Sequence, residues 1–180
     1  MSGMPQWSAW LVTAVLVEAA IIDGLKLKVP NWLTYHFAAG GLLVAAVHGG
    51  GPALLGSVEG LALGLALLLP LYMIGGMGAG DVKLLAGVGA WVGPALVLRA
   101  FVVSGIVGGL MAVVLMARSG GLARHRAMFD TIVGEIVTIR DPARLAELAA
   151  ARKPTMTLLP YGIPIAVGSI AYFAWLGILL

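Results

Sequence analysis

No cysteine occurs among the 180 residues, and only 11% of them are charged. The first absence excludes a disulfide framework, a thiol nucleophile and a thiolate zinc site. The second lies far below the roughly 25% charged residues of soluble domains. With 11 basic and 8 acidic residues the net charge is only +3. An ordinary soluble enzyme, a disordered tail and a nucleic-acid-binding module are all excluded by this composition. What is abundant is apolar: 61% of residues are hydrophobic, against roughly 45–50% in soluble domains, and the mean hydropathy is +1.03. That balance fits a polytopic membrane protein.

A transmembrane helix needs about 20 mostly apolar residues. Six stretches qualify: Trp7–Ile22, Trp32–Val47, Leu54–Ile74, Val82–Leu96, Val97–Ala117 and Leu158–Leu180. The fourth and fifth are separated only by the turn signal Gly93-Pro94, but Val82–Ala117 is too long for one crossing. The expectation is an all-α bundle of about six transmembrane helices forming a single domain over residues 1–180. Gly56, Gly60 and Gly64 recur every four residues, a spacing that lets helix backbones approach closely in lipid.

Charge sets the expected orientation. Lys26 and Lys28 follow the first span, Lys83 follows the third, and Arg118, Arg124, Arg126, Arg140, Arg144, Arg152 and Lys153 lie in the long fifth connection at about 118–157. Alternating helices bring all of these to one side and leave Arg99 on the other. By the positive-inside rule that side is cytoplasmic and the N-terminus extracytoplasmic. Met1–Gln6 carries no basic residue, so the first apolar run lacks a signal-peptide flank. Within the long connection, Asp141-Pro142 reads as a helix N-cap and first turn, with Leu145, Leu148 and Ala149 on one face. It is read as a basic linker that contacts anionic lipid, or as a platform for a membrane-bound substrate segment.

Carboxylates near the apolar layer are costly and usually face a protein interior or a water-filled cavity. The candidates are Glu18, Asp23, Glu59 and Asp81. Asp23 ends the first span and Asp81 opens the fourth, so both are expected at the same side and depth. Two close carboxylates do not both ionise cheaply: one keeps a proton while the other stays basic. Such a pair can activate water and protonate a leaving amine, as amide hydrolysis without a covalent intermediate requires. Structural caps and a transport site are the alternatives on charge and depth alone. Before Asp81 runs Gly75-Gly76-Met77-Gly78-Ala79-Gly80. Its glycines leave the backbone unhindered and open to positive φ, and Asp81 would sit where the helix dipole favours a carboxylate.

The run Gly-Met-Gly-Ala-Gly-Asp81-Val-Lys83-Leu-Leu resembles the signature of the type IV prepilin peptidases, bacterial members of the GxGD intramembrane aspartyl proteases. Ile22-Asp23-Gly-Leu-Lys26-Leu-Lys28-Val-Pro30-Asn31 resembles their other catalytic stretch. Leu159-Pro160-Tyr161-Gly162-Ile163-Pro164 is similar to the start of the last span in the short Tad/Flp-pilus members. The resemblance implies that Asp23 and Asp81 form an acid/base dyad and that Gly78 and Gly80 shape the loop presenting Asp81. It further implies that Pro30-Asn31 sets the turn into the second helix, with Asn31 bonding the active-site loop. Lys83 is read first as a topological anchor, with biasing of the pair's charge or contact with the substrate backbone as alternatives. The implied substrate is a prepilin or pseudopilin precursor. Its short basic leader would be cut at the cytoplasmic membrane boundary, beside its hydrophobic segment. Membrane lipids and pilus or secretion assembly proteins are the other expected partners, and no nucleic acid is.

The larger bifunctional members carry paired Cys-x-x-Cys motifs and N-methylate their product. With no cysteine and a short first connection, this chain is expected to be the peptidase-only form, with no cofactor, metal or methyltransferase activity. Lys26 and Lys28 stand where members often have arginine. Glu18 lies near enough to Asp23 in sequence to share its cavity, although a buried hydrogen-bonded acid is the plainer reading. Glu59 is expected at an interface. His36, His48 and His125 show no metal-binding spacing, and Trp7, Trp10, Trp32, Trp91 and Trp175 fit an aromatic belt. A proton- or cation-coupled transporter and a non-catalytic secretion scaffold are the competing readings. The first calls for acids at the bilayer midplane and inverted repeats, and the second gives the two acids no purpose.

Overall fold

A computed structural model describes residues 6–119, 122–139, 141–152 and 159–179. Six helices follow one another: α1 Gln6–Lys26, α2 Asn31–Met73, α3 Ala79–Ser119, α4 Leu122–Thr138, α5 Pro142–Arg152 and α6 Gly162–Trp175. No strand occurs among the described residues. The chain is an all-helical membrane bundle: α1, α2 and α3 are each long and apolar enough to cross a bilayer.

At 43 residues, α2 would extend about 65 Å at 1.5 Å per residue, twice a hydrocarbon core of about 30 Å. Glycine resolves the excess. Gly50 has φ 63° and ψ −157°, and Gly93 has φ 78° and ψ 175°, a region of backbone space essentially reserved for glycine. Pro52 and Pro94 follow, and a residue without an N–H weakens the helical ladder at the same place.

Each break is a reversal. Gly41, before Gly50, lies so close to Ala90 that a Cβ on it would fall 2.9 Å from the Ala90 carbonyl carbon. Ser57, after Gly50, donates its hydroxyl to the Ala90 carbonyl oxygen. Both arms of α2 therefore lie beside the same turn of α3. The second arm of α3 likewise folds back, so that Gly108 reaches Tyr161, whose neighbour Gly162 is bonded to Asp23 of α1.

These hairpins revise the sequence boundaries. The break falls at Gly93, so Leu96 belongs to the second arm of α3 rather than to the preceding span. The last helix is Gly162–Trp175 with turns beyond, shorter than the expected Leu158–Leu180; Leu158 and Leu180 lie outside the described residues. Gly60 and Gly64 meet the expectation of close packing, against Gly89 and against Leu85–Ala86. A Cβ on Gly56 would meet nothing within 4 Å, so that glycine does not serve helix approach.

The buried face of α1 runs Val12, Leu16, Ala19, Asp23, a spacing of three and four that makes one stripe. It joins a core with Leu33 and Phe37 of α2, Leu84, Leu85 and Val88 of α3, and Ile165, Tyr172 and Phe173 of α6. Outward stand large apolar side chains such as Leu43 at 65% and Ile106 at 68% exposure. Apolar surface of that extent suits lipid rather than water. Trp7 meets His48 at a tilt and Trp91 edge-on at the end marked by Gly50 and Gly93.

The long polar connection contains two helices. Asp141 caps α5 as expected, its Oδ1 accepting the Ala143 N–H at 3.0 Å, and Leu145 and Leu148 are half-buried. The side chain of Ala149 lies outside the described set. The helix α4 was not foreseen, because its face is only weakly apolar.

Candidate active site

Asp23 closes the apolar stripe of α1. It is buried, with 2% of its surface exposed, because it falls four residues after Ala19 on the inward face. Its Oδ2 accepts the main-chain N–H of Gly162 at 2.8 Å. Three residues of further helix then end at Leu27, a non-glycine residue in the left-handed region (φ 51°). The Leu27 N–H returns to the Asp23 carbonyl at 2.8 Å, an αL-type helix cap. A leucine there costs roughly 1–2 kcal/mol relative to ordinary backbone.

Asp81 lies in the first turn of α3 and is 4% exposed. Its Oδ2 accepts the Gly78 N–H at 3.1 Å. Gly78 directly precedes the helix and Asp81 is its third residue. The acid thus reaches back as the N3 side chain of a capping box does, and the helix N-terminus favours its negative charge. The expected glycine freedom is used at one point only: within this run, Gly75 alone has positive φ. Gly78 and Gly80 serve space instead. A Cβ on Gly78 would fall 3.1 Å from Asp81 Oδ2, and one on Gly80 would fall 2.6 Å from the Val29 carbonyl oxygen. Gly80 thereby seats the loop presenting Asp81 on the stretch that follows Asp23.

Lys83 and Asn31 draw the same two stretches together. Lys83 Nζ donates to Asn31 Oδ1 at 2.9 Å and to the Tyr35 hydroxyl at 3.0 Å, and lies 4.7 Å from the Tyr35 ring centroid. Asn31, expected to bond the active-site loop, accepts from the Lys83 side chain two residues beyond Asp81. Pro30, extended at φ −71° and ψ 145°, leads into α2 as expected. Tyr35 was missed from sequence, although its place four residues after Asn31 puts both on one helix face.

The larger omission is Tyr161–Gly162 at the head of α6, noted in the sequence only as a family similarity. Gly162 is bonded to Asp23, and Tyr161 directly precedes it. Because Gly80, next to Asp81, rests on Val29 in the stretch that follows Asp23, both acids lie at one end of the bundle. The other candidates lie elsewhere. Glu18 is exposed, five residues and about 140° of helix from Asp23, so it does not share that cavity. Glu59 is exposed as well. His36 and His48 turn to carbonyls of their own helix, Trp32 and Val44, and the His125 side chain lies outside the described residues. Among those residues no three His, Cys, Asp or Glu gather as a metal would require.

Two buried acids, each on a main-chain amide and both at one end of a helical membrane bundle, mark a polytopic protein with a polar centre beside its apolar core. Residues 10–113 match the model of the type IV leader peptidase family, and the chain belongs to that family. It is 37% identical over 126 residues to the prepilin leader peptidase/N-methyltransferase of Aeromonas hydrophila, covering 64% of this chain and 43% of that protein. The corresponding protein of Aeromonas salmonicida is 36% identical over 125 residues, with the same coverage. That of Neisseria gonorrhoeae is 33% identical over 124 residues, or 65% of this chain and 42% of that protein. The chain thus spans less than half the length of these curated relatives. No solved structure matches it.

Proposed function

We propose that the chain is a membrane aspartyl endopeptidase that removes the short basic leader from prepilin-like precursors, using Asp23 and Asp81. The observation that carries this is that Asp23 and Asp81 are both buried on two stretches held together by Gly80 against Val29 and by Lys83 on Asn31, in a member of the type IV leader peptidase family. One acid, as carboxylate, takes a proton from water as the water oxygen attacks the scissile carbonyl carbon. The other, protonated, gives its proton to the carbonyl oxygen, so the tetrahedral species forms without a charged oxygen. Collapse breaks the C–N bond, and a proton passes from the pair to the leaving amine.

Six crossings with an extracytoplasmic N-terminus bring the acids to the cytoplasmic face of the inner membrane, where the basic leader of such a precursor joins its apolar segment. The three basic connections support this orientation. Methyl transfer is not part of the proposal, because the cysteine motifs of the bifunctional members have no counterpart in this sequence.

The test is cleavage of a precursor with a short basic leader by purified protein in detergent, with products identified by mass spectrometry. Wild type cleaves one bond and leaves an unmethylated N-terminus even when a methyl donor is supplied. Folded Asp23→Asn and Asp81→Asn each lose at least about 1,000-fold in rate. Full activity in either variant removes that acid from the pair. No cleavage by folded wild type transfers the weight to an ion-coupled transporter or a non-catalytic subunit.

A further inference from the structure

The head of α6 lies beyond the stretch that matches the family model, which ends at residue 113, yet its first residue is bonded directly to Asp23. A helix leaves its first four N–H groups without partners of its own. At Gly162, the first residue of α6, that N–H is directed to Asp23 Oδ2, 139 residues away in sequence.

Glycine at this position answers a need for space. The three atoms nearest a Cβ on Gly162 are all of Asp23: Cβ at 2.9 Å, Oδ2 at 2.9 Å and Cγ at 3.1 Å. Any side chain at 162 would push directly on the carboxyl group.

The register of this turn is held from behind. A Cβ on Gly108 of α3 would meet Pro164 at 3.3 Å and the Tyr161 ring at 4.0 Å, and Gly168 rests directly on Ser104. Ser104 Oγ also donates to the Ile165 carbonyl at 3.4 Å. Small residues four apart on both helices thus fix α6 against the second arm of α3. The half-buried Tyr161 ring lies against that arm.

We propose that the Tyr161–Gly162 step is a positioning element of the acid pair, its Gly162 amide fixing the Asp23 carboxylate and its Tyr161 ring holding that turn against the second arm of α3. The proposal rests on the peptidase reading above. A shift of α6 along α3 would carry the Gly162 amide away from Asp23.

The experiment uses the full chain in detergent with the same leader-bearing precursor, comparing wild type, Gly162→Ala, Tyr161→Phe and Tyr161→Leu. Folding of each is checked by thermal unfolding and gel filtration. Gly162→Ala is expected to lower kcat about 100-fold with KM within about threefold, the effect of misplacing a reacting group by a fraction of its bond reach. Tyr161→Phe keeps the ring against Gly108 and is expected to keep wild-type kcat, whereas Tyr161→Leu loosens the turn and is expected to lower kcat about tenfold with KM unchanged.

Wild-type kcat in folded Gly162→Ala overturns the proposal, and wild-type kcat in folded Tyr161→Leu overturns it equally. Should Gly162→Ala fail to fold, Tyr161→Leu decides. Active wild type with undiminished Gly162→Ala or Tyr161→Leu leaves the peptidase reading standing and removes only this inference. Folded wild type that cleaves nothing removes both.

Discussion

The two ends of the bundle use glycine for opposite purposes. At the end holding the acids, Gly80 and Gly162 have ordinary backbone angles and are small because another chain segment occupies the place of a Cβ. At the far end, Gly50 and Gly93 reverse two helices in conformations other residues avoid, and Gly93 has only the Gly56 carbonyl oxygen within 4 Å of a Cβ. There, between the arms of α2 and the first arm of α3, lies an open cavity of about 390 Å³ lined by Gly41, Ala45, His48, Gly56, Ser57 and Trp91 among others. At the acid end Asp23 and Lys83 are bonded across elements; the reversal end is loosely filled. Substitution at the first end should therefore damage chemistry, and at the second only stability.

The sharpest break between the two would come from Gly80→Ala. Its Cβ would meet the Val29 carbonyl oxygen at 2.6 Å, forcing apart the two stretches that carry the acids. Cleavage should fall about 100-fold, with a stability cost of about 1–3 kcal/mol from overpacking, read by rate and thermal unfolding on one preparation.

Gly93→Ala should cost a similar roughly 1–3 kcal/mol through backbone strain, yet leave kcat per folded molecule unchanged. A loss of kcat there equal to that of Gly80→Ala would erase the distinction between the ends.

Lys83→Met tests the bridge between the motifs. Removing a half-exposed donor from Asn31 and Tyr35 should cost about 1 kcal/mol and lower the rate only severalfold. A double-mutant cycle with Asn31→Ala should show the two effects to be non-additive; strict additivity would mean that the hydrogen bond contributes nothing.

The smallest effect is expected at Leu27→Gly. Release of left-handed strain, offset by the greater freedom of glycine in the unfolded chain, should raise stability by at most about 1 kcal/mol. A fall in the unfolding temperature would show that the Leu27 side chain contributes more through contact than its backbone costs.

Much of this architecture is legible in the chain. Length and hydropathy separate the spans, because crossing lipid requires a fixed run of apolar residues whatever they later pack against. The reversals at Gly50 and Gly93 are signalled by glycine close to proline, a local backbone property. Asp23 and Asp81 stand out because a carboxylate in an apolar run is costly wherever the run is placed. Other features were hidden for equally physical reasons. Glu18 and Asp23 differ only in helix phase, so sequence proximity placed both in one cavity whereas the fold turned Glu18 outward. Gly56 shares the spacing of Gly60 and Gly64 but faces the cavity, since spacing defines a stripe without saying how far along it a neighbour reaches.

The sequence by itself determined the solvent of this protein, its helical class, its reversals and the two acids worth watching, since each follows from composition or from backbone preferences within a few residues. The tertiary structure alone decided what holds those acids. Gly162 reaches Asp23 across 139 positions and Lys83 reaches Asn31 across 52. Contacts between residues so distant exist only once helices have packed and set their register. That register depends on how closely small residues such as Gly60, Gly108 and Gly168 let whole helices approach, a property of surfaces meeting rather than of any one segment.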